Sequence, residues 1–287
     1  MKFAAFSGVF IEYSIHEALR MTRELGMDGI EIAAREPHVS PTTSAARIKE
    51  VRSIADGLGL EIPVLAGYMG GFSTASDKEC EQQFSDFQRL LAATGELGAT
   101  MVRVGPGGPN AFLAKDYHYA KSAYWLDRCA AEAKKQGVRI ILEIHNVSIA
   151  ETVDSSLRLL SLIEHDNVGM IHDAGNMYIT DTDYGRDSVL RLGKQMFHVH
   201  VKDEKRVEAV GAPGTFQNLT HRGEEAFVQS RLGEGEADHQ PLFDALVETG
   251  YDGWVTLECH APFPAFERLK HDFDFVKSML AKAGYNK

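Results

Sequence analysis

The chain has 287 residues, 44% hydrophobic and 25% charged, with a formal net charge of −11. That balance counts against a surface for nucleic acid or anionic lipid, which needs clustered Lys and Arg, though it leaves room for a local basic pocket. No stretch approaches the ~20 apolar residues of a membrane helix. The start, Met1-Lys2-Phe3-Ala4-Ala5-Phe6, has neither the apolar core nor the small-residue site of a secretory leader. Cys80, Cys129 and Cys259 form no C-x-x-C pair, so neither a disulfide framework nor a thiolate metal knot is expected. A reducing, cytoplasmic setting fits best.

Strand-like and helix-like runs alternate along the chain. Phe3 to Phe10 reads as a strand, and Ser14 to Leu25 as an amphipathic helix closed by Gly26. Gly29 to Ala33, Leu60 to Gly67 and Thr100 to Val104 are the next strands. Their helices are Thr43 to Leu58, Glu79 to Leu97 and Ala120 to Gln136. Four further apolar runs follow: Arg139 to Asn146, Val168 to Asp173, Met196 to Val201 and Gly253 to Glu258. Their helices are Val153 to Glu164, Arg186 to Lys194, Gln240 to Thr249 and Pro264 to Ala283. Gly26, Gly59, Gly98, Gly137 and Gly250 each stand between a helix and a strand, as C-terminal caps do. Lys202 to Asp238 is the longest irregular segment. Eight strands alternating with eight helices predict a parallel sheet with helical crossovers. No G-x-G-x-x-G follows the first strand, so an open dinucleotide-binding sheet is disfavoured. The expectation is one (β/α)₈ TIM-barrel domain over residues 1–287.

Each of the last four strands carries a polar residue near its C-terminal end: Glu143, Asp173, His200 and Glu258. In a parallel barrel these ends share one face. A carboxylate left unpaired at the end of an apolar strand is costly, and a shared divalent ion would satisfy all four residues. Three oxygen donors and one nitrogen suit Mn²⁺, Mg²⁺ or Co²⁺ better than a thiolate zinc centre. In His198-Val199-His200 both rings face the same way, and His200 lies nearer the active end. Arg103 ends the fourth strand beside Gly105-Pro106-Gly107-Gly108. Glu31 and Arg35 are expected to pair at the end of the second. Asp203 is a candidate partner for the metal ligands or a loop residue. Tyr68, Phe72 and Phe112 are candidate pocket walls that more often simply cap a barrel.

Leu142-Glu143-Ile144-His145-Asn146, His172-Asp173-Ala174-Gly175-Asn176, His198-Val199-His200-Val201-Lys202-Asp203 and Trp254-Val255-Thr256-Leu257-Glu258 resemble the signature strands of the xylose isomerase-like TIM-barrel superfamily. Arg231 to Asp238, followed by Gly250 to Trp254, is also similar to its C-terminal pattern. The superfamily includes ketose 3-epimerases, hydroxypyruvate isomerases and inosose dehydratases. The resemblance implies one divalent ion, Mn²⁺ first, with Mg²⁺, Co²⁺ or Zn²⁺ as alternatives, held by Glu143, Asp173, His200 and Glu258. It implies that Glu143 and Glu258 are also the proton-transfer pair, and that Arg206 contacts substrate. His145, Asn176 and Arg103 are further substrate-binding candidates. The sequence departs from the epimerase pattern at Asn176, where His is common, and at Ile149, where a second Glu is expected. Glu151 is out of step with that position.

The leading expectation is an isomerase or epimerase that works through an enediolate of a small carbohydrate or polyol-derived ketone. The alternative is a keto-polyol dehydratase similar to inosose dehydratase. A DNA-repair endonuclease on the same barrel is distant, because the His ligands of its metal cluster are missing here. The resemblance also implies a homo-oligomer, a dimer or tetramer.

Overall fold

The apolar runs become strands because nearly every residue in them is buried, a burden that only a sheet covered on both faces can carry. The computed structural model describes residues 1–285. Its first seven strands are β1 (Lys2–Phe6), β2 (Gly29–Ala33), β3 (Val64–Gly70), β4 (Met101–Gly105), β5 (Arg139–Glu143), β6 (Val168–Asp173) and β7 (Met196–Val201). An inserted sheet follows, of β8 (Asp203–Val207), β9 (Thr215–Thr220) and β10 (Gly223–Ser230), and then β11 (Trp254–Leu257). Seven strands and β11 close in the order β1-β11-β7-β6-β5-β4-β3-β2, all parallel, so the predicted eight-stranded TIM barrel is the observed fold.

Around it lie α1 (Ile15–Glu24), α2 (Ala45–Leu58), α3 (Asp77–Leu97), α4 (Asp116–Lys135), α5 (Val153–Leu160), α6 (Ala174–Ile179), α7 (Arg186–Leu192), α8 (Gln240–Glu248) and α9 (Ala265–Lys282). Ser14 with Glu17, and Ser76 with Glu79, build reciprocal caps that start α1 and α3. Gly59 and Gly98 close α2 and α3 with φ of 67° and 70°, a conformation that favours glycine. Among the described residues no helix is long and apolar enough to cross a membrane.

Three features depart from the sequence reading. Ser7–Phe10 is a 3₁₀ turn rather than the end of β1. The short helix α6 starts directly at the end of β6, with Asp173 as its N-cap. Lys202 to Asp238 is not irregular. It holds the three antiparallel strands in the order β8-β10-β9, with a tight turn at His221-Arg222. Their polar-rich sequences hide the pattern, since these strands gain their partners from one another and not from the core.

Asp203 explains how that insertion is tied down. Its carboxylate accepts hydrogen bonds from the backbone amides of Glu204 (2.9 Å), Gly233 (2.9 Å), Gly235 (3.0 Å) and Ala237 (3.0 Å). A Cβ at Gly235 would collide with that carboxylate, which accounts for glycine there. Asp203 thus folds the Gly233–Ala237 loop rather than supporting a metal ligand. Replacing Asp203 by Ala leaves four donors without their charged acceptor. The expected cost is about 3 kcal/mol in urea unfolding, with faster hydrogen exchange at Gly233, Gly235 and Ala237. An unchanged unfolding midpoint would remove Asp203 as the anchor.

Candidate metal centre and active site

Strand register brings the ligands together before any side-chain detail matters. Asp173 pairs with His200 across β6–β7, and Thr256 pairs with His200 across β7–β11, two residues before Glu258. Glu143 ends β5, opposite Ile171 of β6. One donor atom from each of Glu143, Asp173, His200 and Glu258 falls within 4.8 Å of the other three. All four residues are buried. The sequence-predicted ligands therefore converge.

The ring of His200 is oriented from behind. Glu31 Oε2 lies 3.0 Å from His200 Nε2 and 2.9 Å from His198 Nε2. A carboxylate only accepts, so both rings donate to it through Nε2. His200 Nδ1 then faces the cage, 3.0 Å from Glu258 and 3.8 Å from both Glu143 and Asp173. This is the carboxylate–histidine arrangement that fixes tautomer and ring angle behind a metal ligand. Glu31 does not pair with Arg35; the two histidines take its carboxylate. His198 lies deeper, held by Glu31 and by Thr256 at 2.9 Å.

Lys202 is the second finding that the sequence left open. Its ammonium is buried 3.1 Å from Asp173, 3.6 Å from Glu258 and 3.8 Å from Glu143. Gly175 leaves room for it, since a Cβ there would press on the lysine stem. Arg103 Nη1 donates to Glu143 Oε2 at 2.6 Å, and Asn176 Nδ2 donates to Glu143 Oε1 at 3.1 Å. Both oxygens of Glu143 are thereby gripped. Glu258 has no such clamp: apart from His200 its neighbours are Lys202 and His260 Nε2 at 3.6 Å.

The charges shift one another strongly. Burial alone would raise the Glu143 carboxyl, yet Arg103 and His200 hold it well below the usual range. Glu258 behaves alike, with burial opposed by Lys202 and His200. Asp173 goes the other way: burial, with the two neighbouring glutamates, pushes it up to about 7 against the pull of Lys202. Burial opposes the His200 charge, but Glu31, Glu143 and Glu258 raise its pKa well above the usual value. Asp173 Oδ2 is buried and has no partner in hydrogen-bonding geometry, although Lys202 is near. An orphaned carboxylate oxygen, an imidazole nitrogen turned to the same point and two more carboxylates are a donor set that fits a divalent ion.

A cavity of about 450 Å³ opens beside this cage, lined by Glu143, Glu258, His145, His260, Arg103, Arg35, Tyr68 and the Gly105–Gly108 loop among others. His145 Nδ1 lies 2.5 Å from the carbonyl of Asn146. A carbonyl only accepts, so Nδ1 carries the proton and Nε2 is left for the cavity.

The other predicted contacts lie elsewhere. Arg206 is on β8, held by Glu225 and the Tyr178 hydroxyl at 3.3 Å each, and does not line the cavity. Asn176 turns to Glu143 and the Ile144 carbonyl instead of the cavity. Ile149 is core, and Glu151 accepts from Asn110 and the Ala111 amide beside a separate small cavity that Phe112 also lines. Phe72 is buried against Trp125. Glu204 is a buried carboxyl that no signal marked; neither oxygen has a partner, and burial raises its pKa well above the usual value.

A family model described as xylose isomerase-like TIM barrel matches residues 19–279. Inosose dehydratase of Lactiplantibacillus plantarum is 27% identical over 195 residues, covering 65% of this chain and 62% of that protein. The chain therefore spans less than two thirds of that relative's length. L-ribulose-5-phosphate 3-epimerase UlaE of Salmonella typhi is 23% identical over 278 residues, covering 93% and 90%. The solved structure of IolI protein with a bound zinc atom matches with a TM-score of 0.80 at 18% identity, covering 99% of each chain.

Two outcomes are expected of metal titrations. His200→Ala should weaken Mn²⁺ binding by at least 100-fold, and Glu31→Gln, which acts only through the ring, by about 10–100-fold. His198→Ala should cost less than His200→Ala, and the reverse order would mean the wrong histidine faces the ion. Affinity should also climb as pH rises through about 7, because a proton must leave Asp173 and another must leave His200 before both can ligate. Calorimetry in buffers of different ionisation enthalpy would report that release; binding without proton release would remove this linkage.

Proposed function

The chain belongs to the xylose isomerase-like TIM-barrel family, and from that premise we propose that it is a divalent-metal-dependent enzyme that removes a proton beside the carbonyl of a small polyhydroxylated ketone. A divalent ion held by Glu143, Asp173, His200 and Glu258 would supply a Lewis acid for the carbonyl and its neighbouring hydroxyl. Mn²⁺ suits the oxygen-rich ligands, and the zinc of IolI protein keeps Zn²⁺ among the alternatives. The sugar-modifying relatives support the substrate class.

The observation that decides between branches is the unequal treatment of the two glutamates. An epimerase needs a carboxylate on each side of the carbon, each able to take and return a proton. Here Glu143 is gripped on both oxygens by Arg103 and Asn176, which holds its carboxylate in place and occupies the atoms that would take a proton. Glu258 lines the cavity without such a clamp. We therefore assign Glu258 as the base and Glu143 as an electrostatic anchor. His145 lines the cavity and, when doubly protonated, would give its Nε2 proton to a leaving hydroxyl. This constellation favours elimination of water from a β-hydroxy ketone over epimerisation, so the dehydratase reading takes precedence over the isomerase. The three cysteines, all buried free thiols, support a cytoplasmic setting.

The reaction can be followed by NMR in D₂O with a panel of keto-polyols. Wild type is expected to lose water, EDTA to stop it, and Mn²⁺ to restore it. Glu258→Gln should abolish both elimination and deuterium uptake beside the carbonyl. His145→Ala should keep deuterium uptake and slow elimination by about 10²–10⁴-fold, the worth of a positioned acid. An epimer carrying solvent deuterium, with no loss of water, would return Glu143 to the role of second acid/base and sink the dehydratase reading.

A further inference from the structure

Two cations other than histidine line the main cavity, and only one of them has a carboxylate. Arg103 is paired with Glu143. Arg35, in the loop after β2, makes no ion pair among the described residues and is exposed at the cavity wall. Its guanidinium lies 5.1 Å from the centre of the Tyr68 ring, and that of Arg103 lies 5.0 Å from the same ring. Two like charges therefore flank one aromatic side chain in a concave site. The loop that carries Arg35 is held: its amide bonds to the Ala33 carbonyl at 2.8 Å, and its carbonyl accepts from the His38 amide at 3.0 Å. His38 is in turn fixed by Ser7 and the Tyr13 carbonyl.

The charges of the filled site leave Arg35 over. Glu143, Asp173 and Glu258 balance a divalent ion and Lys202. Counted with Glu31 as one cluster, the four carboxylates match the ion, Lys202 and Arg103, with both histidines neutral. The remaining charge belongs to Arg35, in a chain whose overall charge of −11 gives no general attraction for anions. A planar guanidinium without a partner matches a carboxylate or a phosphate edge.

We propose that Arg35 is a specificity-determining residue that binds an anionic substituent, a carboxylate or a phosphate, on the keto-polyol substrate, seated against Tyr68 in this cavity. This rests on the reading of the cavity as the site of a keto-polyol enzyme. It sets the class of substrate as an acidic or phosphorylated ketone rather than a neutral one.

The test compares matched probes on the Mn²⁺-loaded protein by calorimetry. D-Ribulose is set against D-ribulose 5-phosphate, and L-sorbose against 5-keto-D-gluconate. One anionic probe should bind about ten- to a hundredfold more tightly than its neutral partner, the scale of charge-assisted hydrogen bonds. The phosphate pair and the carboxylate pair tell the two sources apart. In Arg35→Gln the ratio within the favoured pair should fall close to one, and Arg35→Lys should restore part of it. Equal binding within both pairs at millimolar concentration, or no detectable binding of either anionic probe, overturns the proposal. So does a preference that survives in Arg35→Gln. Deuterium uptake from D₂O is scored separately: an Arg35-dependent preference without uptake keeps the anion subsite and fails the chemistry, and uptake without a preference does the opposite.

Discussion

Four carboxylates converge where eight apolar strands end, and that single electrostatic burden shapes most of what surrounds them. Glu31, Glu143, Asp173 and Glu258 are all buried. Like charges in a medium of low polarisability repel strongly, and none can be left unpaired. Each neighbour answers one part of the problem. Two histidines share Glu31, Arg103 takes Glu143, and Lys202 reaches between Asp173, Glu258 and Glu143. What they leave unsatisfied is an oxygen of Asp173, beside which His200 Nδ1 and the oxygens of Glu143 and Glu258 converge, and an oxygen of Glu31. The residue of the electrostatic problem is thus itself the description of a cation site.

Geometry of this kind depends on the register of neighbouring strands, since a slip of one residue would turn every ligand to the other face. Barrel closure supplies the register without any contribution from the ligands: Asp173 opposite His200, His200 opposite Thr256. The insertion after β7 works from outside. Lys202 joins β7 to β8, so the chain that supplies the cage's ammonium is also the first strand of the inserted sheet. Asp203, the next residue, fastens that sheet to the Gly233–Ala237 loop. The candidate cage and the insertion are therefore joined through two consecutive residues, Lys202 and Asp203.

The barrel and the four polar residues that converge at its mouth are legible in the sequence because both rest on local pattern. A buried strand shows as an apolar run, and a ligand at its end shows as the charge that breaks the run, as in Ile140-Ile141-Leu142-Glu143. Glu31 breaks its run equally, yet its partner stands 167 residues later at His198. Nothing local distinguishes that pairing from a bond to Arg35, four residues away. Arg206 failed in the opposite sense. The family resemblance put it on the substrate, but β8 turns it to Tyr178 and Glu225, and only the unread strands β8 to β10 could have said so. Asn176 and Ile149 were visible as departures, but their consequence was not: the first becomes a clamp on Glu143, and the second joins the core.

That clamp carries the chemical argument. In a site with two equivalent carboxylates, a proton taken from one face of a carbon can be returned to the other. On the proposed assignment, a carboxylate held on both oxygens by a guanidinium and an amide does not return the proton, so the path from that side closes. The charge left on the substrate then has to be discharged differently, and expulsion of a β-hydroxyl is the route that needs only one base and one acid. In this reading, Arg103 and Asn176 select the reaction without touching the bond that breaks. The same barrel, with the same four ligands, would recover the symmetric chemistry if the grip on Glu143 were released.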